Sequence, residues 1–445
     1  MRASIIILLL ATLLTANQNY DSNGSVSGHL RWIHVLHGLD NNFDPQTGST
    51  IGLNLKYHTP TFKGFYGTVG FHYVGDTGLT NFSRDSSGAY ENKIASGIFM
   101  TKDFSSKAVL DEAWIAYEIG ENLFKFGRKH PPSSLNKTIS NPIAIFKTSQ
   151  VENAYESFTF KTDELPDTTI RVSQITKMMY GSRTTTDYAL IGEYTNTAGV
   201  ARSPADLKGD FTPVGELAFK GGIDADGNTV DTAGITMLSI VNTSIPNTTV
   251  QLWNYYAYDI LNFLQLQVDY TYTHSSSMEG TFKFQYIKEN DVGKSLNSDL
   301  DSSIYGMMAM IKYEKAVLSF SYNSSHGETF NPWGFDPAFT SSTYSRNAYR
   351  DDVNAYKVAV KYSFSKNFIF SASYANYGQS KSYGGNIGRT LLATRDADEL
   401  DMILTYKPYK KFSIKLLNAR RTSEYESTSS SRKQNQFRVI TQYSF

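Results

Sequence analysis

The chain has 445 residues, no cysteine, and 42 basic against 42 acidic side chains, for a formal charge of +0. The missing thiol excludes a disulfide framework, thiolate metal sites and a cysteine nucleophile, and the balanced charge gives no electrostatic footprint for nucleic acid. Aromatics reach 14%, with 30 Tyr and 27 Phe against 4 Trp, a surplus that the two aromatic girdles of a membrane β-barrel would use.

Residues 1–16 read as a signal peptide, with Arg2 as the charged end, an apolar run from Ile5 to Leu14 and Ala16 before the cleavage point. That run is shorter than the roughly 18 residues a membrane-spanning helix needs. No later segment has a longer one, so residues 17–445 are expected to hold no transmembrane helix. By length they are either two or three soluble domains or one large barrel.

Period-2 alternation decides between these. Residues 25–37 and 50–58 come first. In the second, Ile51, Leu53, Leu55 and Tyr57 alternate with Gly52, Asn54 and Lys56. A short turn leads to 64–74, and a long polar stretch follows. Residues 111–119 and 122–128 pair across Gly120-Glu121, and 151–161 pairs with 168–177. Residues 178–233, rich in Gly, Asp and Thr, read as a long external loop, with strand character only in 211–220. Further pairs are 234–242 with 248–256, 262–273 with 280–288, 302–313 with 315–322, 352–364 with 367–377, and 398–406 with 409–420. The last strand is 433–445. Phe437, Val439, Thr441, Tyr443 and Phe445 share one side, and Gln436, Arg438, Gln442 and Ser444 the other, with Ile440 the exception.

The count is about 18, an even number, with short turns alternating with long loops and both termini at the turn end. The expected fold is all-β: one transmembrane antiparallel β-barrel over residues 17–445, with short periplasmic turns and long external loops. A terminal Phe after an amphipathic last strand fits the outer membrane of a Gram-negative bacterium, with outer-membrane lipid as a partner.

A barrel of this size leaves an aqueous lumen. Residues 129–150 carry three prolines and an apolar stretch, which suits an irregular segment folded inward as a constriction. The strand face opposite the apolar one is expected to carry Lys56, Lys125, Arg171, Lys177, Lys283, Lys312, Lys357, Lys361, Lys415 and Arg438. Acids of the same parity are fewer: Glu112, Glu118, Asp269, Glu399 and Asp401. A basic inner wall favours anionic or carboxylate-bearing solutes.

Catalytic signals are weak. Eight histidines are scattered without metal-ligand spacing, and His34 and His37 fall on opposite faces of one strand. No Gly-x-Ser-x-Gly elbow or Gly-x-Gly-x-x-Gly fingerprint occurs, and residues 224–228 read as a turn rather than a calcium loop. The expectation is a passive porin with no catalysis, metal or cofactor, as a monomer or homotrimer. Its rivals are a structural or adhesive barrel with a plugged lumen, an outer-membrane hydrolase, and an active importer with a plug.

Two segments carry a family resemblance. Phe124-Lys125-Phe126-Gly127-Arg128-Lys129, followed by Pro131 and Pro142, resembles the Gly-Arg strand end that enters the constriction loop of OprD-type porins. Residues 253–261, Trp-Asn-Tyr-Tyr-Ala-Tyr-Asp-Ile-Leu, resemble that family's Tyr-Tyr…Asp-Ile hairpin tip. The resemblance implies an 18-stranded barrel, a narrow pore and a row of basic residues guiding carboxylates. It adds Arg128 to the channel lining, beside Arg171 and Arg438. The chain departs from the family in using Lys where Arg is usual, and Lys lacks the bidentate fork.

Overall fold

Alternating apolar and polar residues, punctuated by turn-formers, produce eighteen long strands in the computed structural model. They are β1 (Ser25–Leu39), β2 (Gln46–His58), β3 (Phe65–Asp76), β4 (Lys107–Ile119), β5 (Asn122–Lys129) and β6 (Ala154–Thr162). Next come β7 (Thr168–Met179), β8 (Ile235–Asn242), β9 (Thr248–Ala257), β10 (Leu261–Ser275), β11 (Met278–Asn290) and β12 (Asp301–Tyr313). The last are β13 (Ala316–His326), β14 (Asn354–Ser365), β15 (Phe368–Tyr377), β16 (Thr394–Tyr409), β17 (Phe412–Tyr425) and β18 (Ser431–Ser444). The described residues are 24–39, 46–80, 98–101, 105–130, 141–143, 149–182, 194–196, 208–219, 222–224, 227–296, 300–327, 333, 337–343, 345, 350, 352–381, 383–385, 389–391, 394–425 and 431–445. The expected signal peptide lies outside them, as do residues 131–140 and 144–148 of the expected constriction segment.

Each strand pairs antiparallel with its neighbour in sequence, and β18 returns to β1 from His29↔Ser444 to Leu39↔Gln434. Gly28 and Phe445 exchange backbone hydrogen bonds at 3.1 and 3.2 Å at the end of that seam. The sheet is therefore a closed barrel with no edge among its long strands, which is how a β-protein satisfies its backbone without exposing a pairing edge.

The outer face is apolar. Phe126, Phe282 and Met307 are each 60% exposed on it. Aromatics gather near the short turns, where Phe65 stacks on Tyr117 at 4.4 Å and Phe364 lies 5.3 Å from Phe368. A second set lies toward the loop end, with Tyr322–Tyr356 at 5.0 Å and Tyr286–Tyr305 at 5.1 Å. Two rings of aromatics around an apolar band are the outer surface a membrane barrel requires.

The expected loop 178–233 needs adjustment. β7 runs on to Met179, and Phe211–Pro213 adds a three-residue strand to it. A five-residue helix, α1 (Val214–Ala218), begins directly after Pro213. Proline has no N–H to extend the ladder, so residues 211–219 of the expected 211–220 piece form a short strand and a turn of helix, not one strand, and residue 220 lies outside the described residues. Asn228 N donates to Asp224 Oδ1 at 2.8 Å, while residues 225 and 226 of the expected turn lie outside the described residues.

Three loop segments fold into the barrel. Ile98 and Phe99 pack on Ile33, Val35 and Ile440, which accounts for the apolar residue on the polar face of β18. Between β5 and β6, Ile143 joins the buried cluster of Tyr155, Trp253 and Tyr255. Between β13 and β14, Thr340 N and Oγ1 both donate to Asn323 Oδ1, at 2.9 and 3.0 Å. Trp333 of the same segment donates to the Val214 carbonyl on α1 at 2.9 Å.

Candidate channel lining

Residues paired across adjacent strands share a face, so register determines which side chains point inward. Buried Gln267 on β10 pairs with Gln285 on β11, and the same row continues through Gly306, Asn323, Ala355, Tyr377 and Ala397. On this parity Lys283, Lys312, Lys357, Lys361, Lys415 and Arg438 point inward, as do Lys56, Lys125 and Arg171 on the other half of the barrel.

Arg128 and Lys177 do not. Arg128 follows Phe124 and Phe126 on the outer face of β5. Lys177 is turned by a bulge: Glu156 pairs with Lys177 but Ser157 pairs with Ile175, leaving Thr176 as an extra residue. One inserted residue moves every later side chain to the other face. Both cations meet Glu156 there, Arg128 at 3.2 Å and Lys177 at 3.7 Å, and Arg128 also lies 4.3 Å from the Phe211 ring centre.

Five inward acids of the expected set are engaged, whereas Glu279, opposite Lys312, has no side-chain hydrogen bond or ion pair among the described residues. Glu112 pairs with Lys56 at 2.5 Å and Asp269 with Lys283 at 2.7 Å. Glu118 accepts from Tyr66 at 2.5 Å. Asp401 accepts from Thr343 N at 3.0 Å and Glu399 from Ser345 N at 2.6 Å, so both clamp the segment between β13 and β14. Lys357 donates to the Ser341 carbonyl of that segment at 2.6 Å. A cavity of about 350 Å³ beside it is lined by Lys357, Lys361 and Asp401.

The wall formed by β5, β6 and β7 is different. Lys125, Lys129, Lys161 and Arg171 line a cavity of about 430 Å³, covered by Asn141 and Ile143 and faced by Trp253 and Tyr255 of β9. No carboxylate lines it among the described residues. Lys129 donates to Thr159 at 2.5 Å, and Thr159 bonds Ser173 at 2.8 Å. The Lys125 ammonium sits 3.3 Å from the centre of the Trp114 ring. Lys161 is ion-paired to Asp163 at the turn. Lys125, Lys129 and Arg171 make no ion pair among the described residues. A larger groove of about 730 Å³, lined by Tyr270, Phe282, Met307 and Phe320, belongs to the apolar outer face and not to the lumen.

Strand-by-strand reading missed several inward groups. Lys129 is in phase with Lys125, and Arg31 with His29 and Ile33, so alternation could have found both. Buried Asp111 accepts from His72 at 3.2 Å and His130 at 3.1 Å. These three residues come from β3, β4 and the segment after β5, and a bulge opposite Gly70 and His72 turns Asp111 inward. No pattern in sequence joins them. Burial would lower the His130 pKa, but the bonds to Asp111 outweigh it and hold it above the usual histidine value.

No family model and no curated protein matches the chain. Solved structures do. Acinetobacter baumannii OccAB4 superposes with a TM-score of 0.70 at 13% identity, covering 96% of this chain and 100% of that one. Pseudomonas aeruginosa OccK1 (OpdK) gives 0.65 at 10% identity, over 94% and 98%. P. aeruginosa OpdK with vanillate gives 0.64 at 11% identity, over 94% and 98%. This chain has the Occ barrel fold. The architecture implied by the resemblance to OprD-type porins is therefore the one observed.

In this Occ-type barrel the two resembling segments sit at special backbone positions. Gly127, with φ of 123°, lies where a Cβ would meet the Ala113 carbonyl, and it leads directly into the inward segment. Asp259, with φ of 62°, caps the three-residue link between β9 and β10 and accepts from Lys294 N at 3.1 Å.

Proposed function

We propose that this protein is an outer-membrane porin through which small polar solutes diffuse passively, with preference for anionic ones. The fold supports the coarse part of this reading: a closed barrel with an apolar outer band, two aromatic girdles and a polar interior, shared with outer-membrane channels rather than enzymes.

The charge preference rests on one observation. The five expected inward acids are engaged, while Lys125, Lys129 and Arg171 stand together on one wall with no carboxylate within ion-pair distance among the described residues. A row of uncompensated cations in a narrow lumen raises the local concentration of anions and repels cations. Asn141 and Ile143, between β5 and β6, lie against this wall, so a solute that enters the cavity comes within reach of the charges.

The deciding experiment is the reversal potential of the purified protein in a planar bilayer under a potassium chloride gradient. The expected sign is that of chloride permeation. A cation-selective current would defeat the anion preference. A complete lack of current would favour the plugged barrel, a reading to which the three inward segments also lend support.

A further inference from the structure

The cavity between β5–β7 and β9 has more hydrogen-bond donors than the protein itself satisfies. Among the described residues Tyr155 Oη and Trp253 Nε1, on side chains 4% and 1% exposed, have no hydrogen-bond partner. Arg171 Nη1 is likewise buried and has no partner among the described residues. All three residues line the cavity that Lys125 and Lys129 also line. A buried donor without an acceptor is costly, and several aimed into one space call for an acceptor-rich guest.

The donors come from four strands: β5, β6, β7 and β9. They surround the space instead of forming one plane. A carboxylate offers two oxygens in a plane and is best matched by a guanidinium fork, and Arg171 is the one arginine lining the cavity among the described residues. A phosphate monoester offers three terminal oxygens spread tetrahedrally and carries about −1.5 to −2 charge. Lysine ammoniums, as point charges, accept that geometry from any direction. Trp253 and Tyr255 are stacked within 8° of parallel at 6.4 Å, and Ile143 is next to them, so an organic group has a flat apolar wall beside the cations.

We propose that this cavity is an affinity site for organic phosphate monoesters, which it prefers over monocarboxylates of the same size. This deepens the porin reading and rests on it.

The test uses three aryl probes that differ only in the anion: phenyl phosphate, benzenesulfonate and benzoate. Each is titrated into the full-length protein in a planar bilayer at about pH 7, where a phosphate with a second pKa near 6 is mostly a dianion. Current blockade gives an apparent Kd. Phenyl phosphate is expected to bind about tenfold more tightly than benzoate, with benzenesulfonate between them. Tyr155→Phe removes one donor and keeps the ring, and Trp253→Phe removes one donor and keeps an aromatic face. Each is expected to weaken phenyl phosphate about threefold or more and to change benzoate less. Equal affinities for phosphate and carboxylate in the wild type would overturn the proposal. So would an unchanged phosphate-to-carboxylate ratio in both variants. An anion-selective channel indifferent to phosphate defeats this inference alone, whereas a cation-selective or closed barrel defeats the porin reading beneath it.

Discussion

Gln150 reaches from the segment between β5 and β6 to Thr50 on β2, donating from Nε2 to the Thr50 carbonyl at 3.0 Å and its hydroxyl at 2.8 Å. The contact is buried and is reinforced next door, where Arg31 Nη1 donates to the Ser149 carbonyl at 2.5 Å and its other nitrogens hold Gln442 at 2.9 and 2.7 Å. Gly52 makes room for it, because a Cβ there would strike the Gln150 side chain. The inward segment is thus latched to the barrel wall far from its own strands.

Unlatching should be visible in the current. Gln150→Ala removes three hydrogen bonds, two to Thr50 and one to the Arg31 carbonyl, each with a net value of about 1 kcal/mol, and leaves Thr50 polar groups to find water. Gly52→Val should displace the same side chain from the wall side. Both variants are expected to show a larger and noisier single-channel conductance than wild type. Conductance and open-channel noise identical to wild type in both would show that the latch does not hold the constriction.

The bulge at Thr176 gives a sharp contrast between two cations six residues apart. Arg171 points into the cavity and Lys177 onto the outer face. Arg171→Ala is expected to move the reversal potential toward cation permeation, while Lys177→Ala leaves it at the wild-type value. Equal shifts from the two variants would place Lys177 in the lumen and contradict the register.

Much of the barrel was legible because alternation is a local signal. The paired segments read from sequence fall on the observed strands, with ends displaced by a few residues. Arg171 and Lys177 show where this fails. Their even spacing assigns them one face, and only the unequal pairing of β6 with β7 reveals the extra residue. Contacts between distant segments were not legible at all. Ser149 and Arg31 are 118 residues apart, and nothing near either one signals the other. The same holds for Asp111, whose two histidine partners lie on different elements. Trp253 and Tyr255 were noticed only as part of a hairpin tip, because their role depends on the lysines of β5 that they face.

Pairing also decides how the inward acid Asp269 should behave. Asp269 is 3% exposed and holds Lys283 at 2.7 Å. Asp269→Asn keeps the shape and removes the negative charge, which leaves Lys283 uncompensated. The reversal potential should move further toward chloride, with a loss of stability of about 1–3 kcal/mol from the weakened charged hydrogen bond. A shift toward potassium would mean that the Lys283 charge does not reach the permeation path.

Ile440 is the apolar residue on the polar face of the closing strand, and its surroundings explain it. It is 6% exposed and packs with Ile33 and Val35 of β1 and with Ile98 and Phe99 of the segment between β3 and β4. The β1–β18 seam and an inward loop therefore share one small core. Ile440→Ala should cost about 2–4 kcal/mol, the usual penalty for a buried cavity. The loss should appear as a lower temperature for the heat-induced shift in gel mobility that accompanies barrel unfolding. Because the substitution touches the loop seat and not the charged wall, the reversal potential should stay at the wild-type value while the unfolding temperature falls. If the unfolding temperature does not change, the seam does not depend on this core. A polar replacement, Ile440→Gln, separates the two contributions. It restores the alternation of β18 but buries an amide among apolar neighbours, so it should destabilise the barrel at least as much as alanine. If glutamine instead matched wild type, the inward face at this level would be solvated, and the packing of Ile98 and Phe99 against the seam would carry no stability.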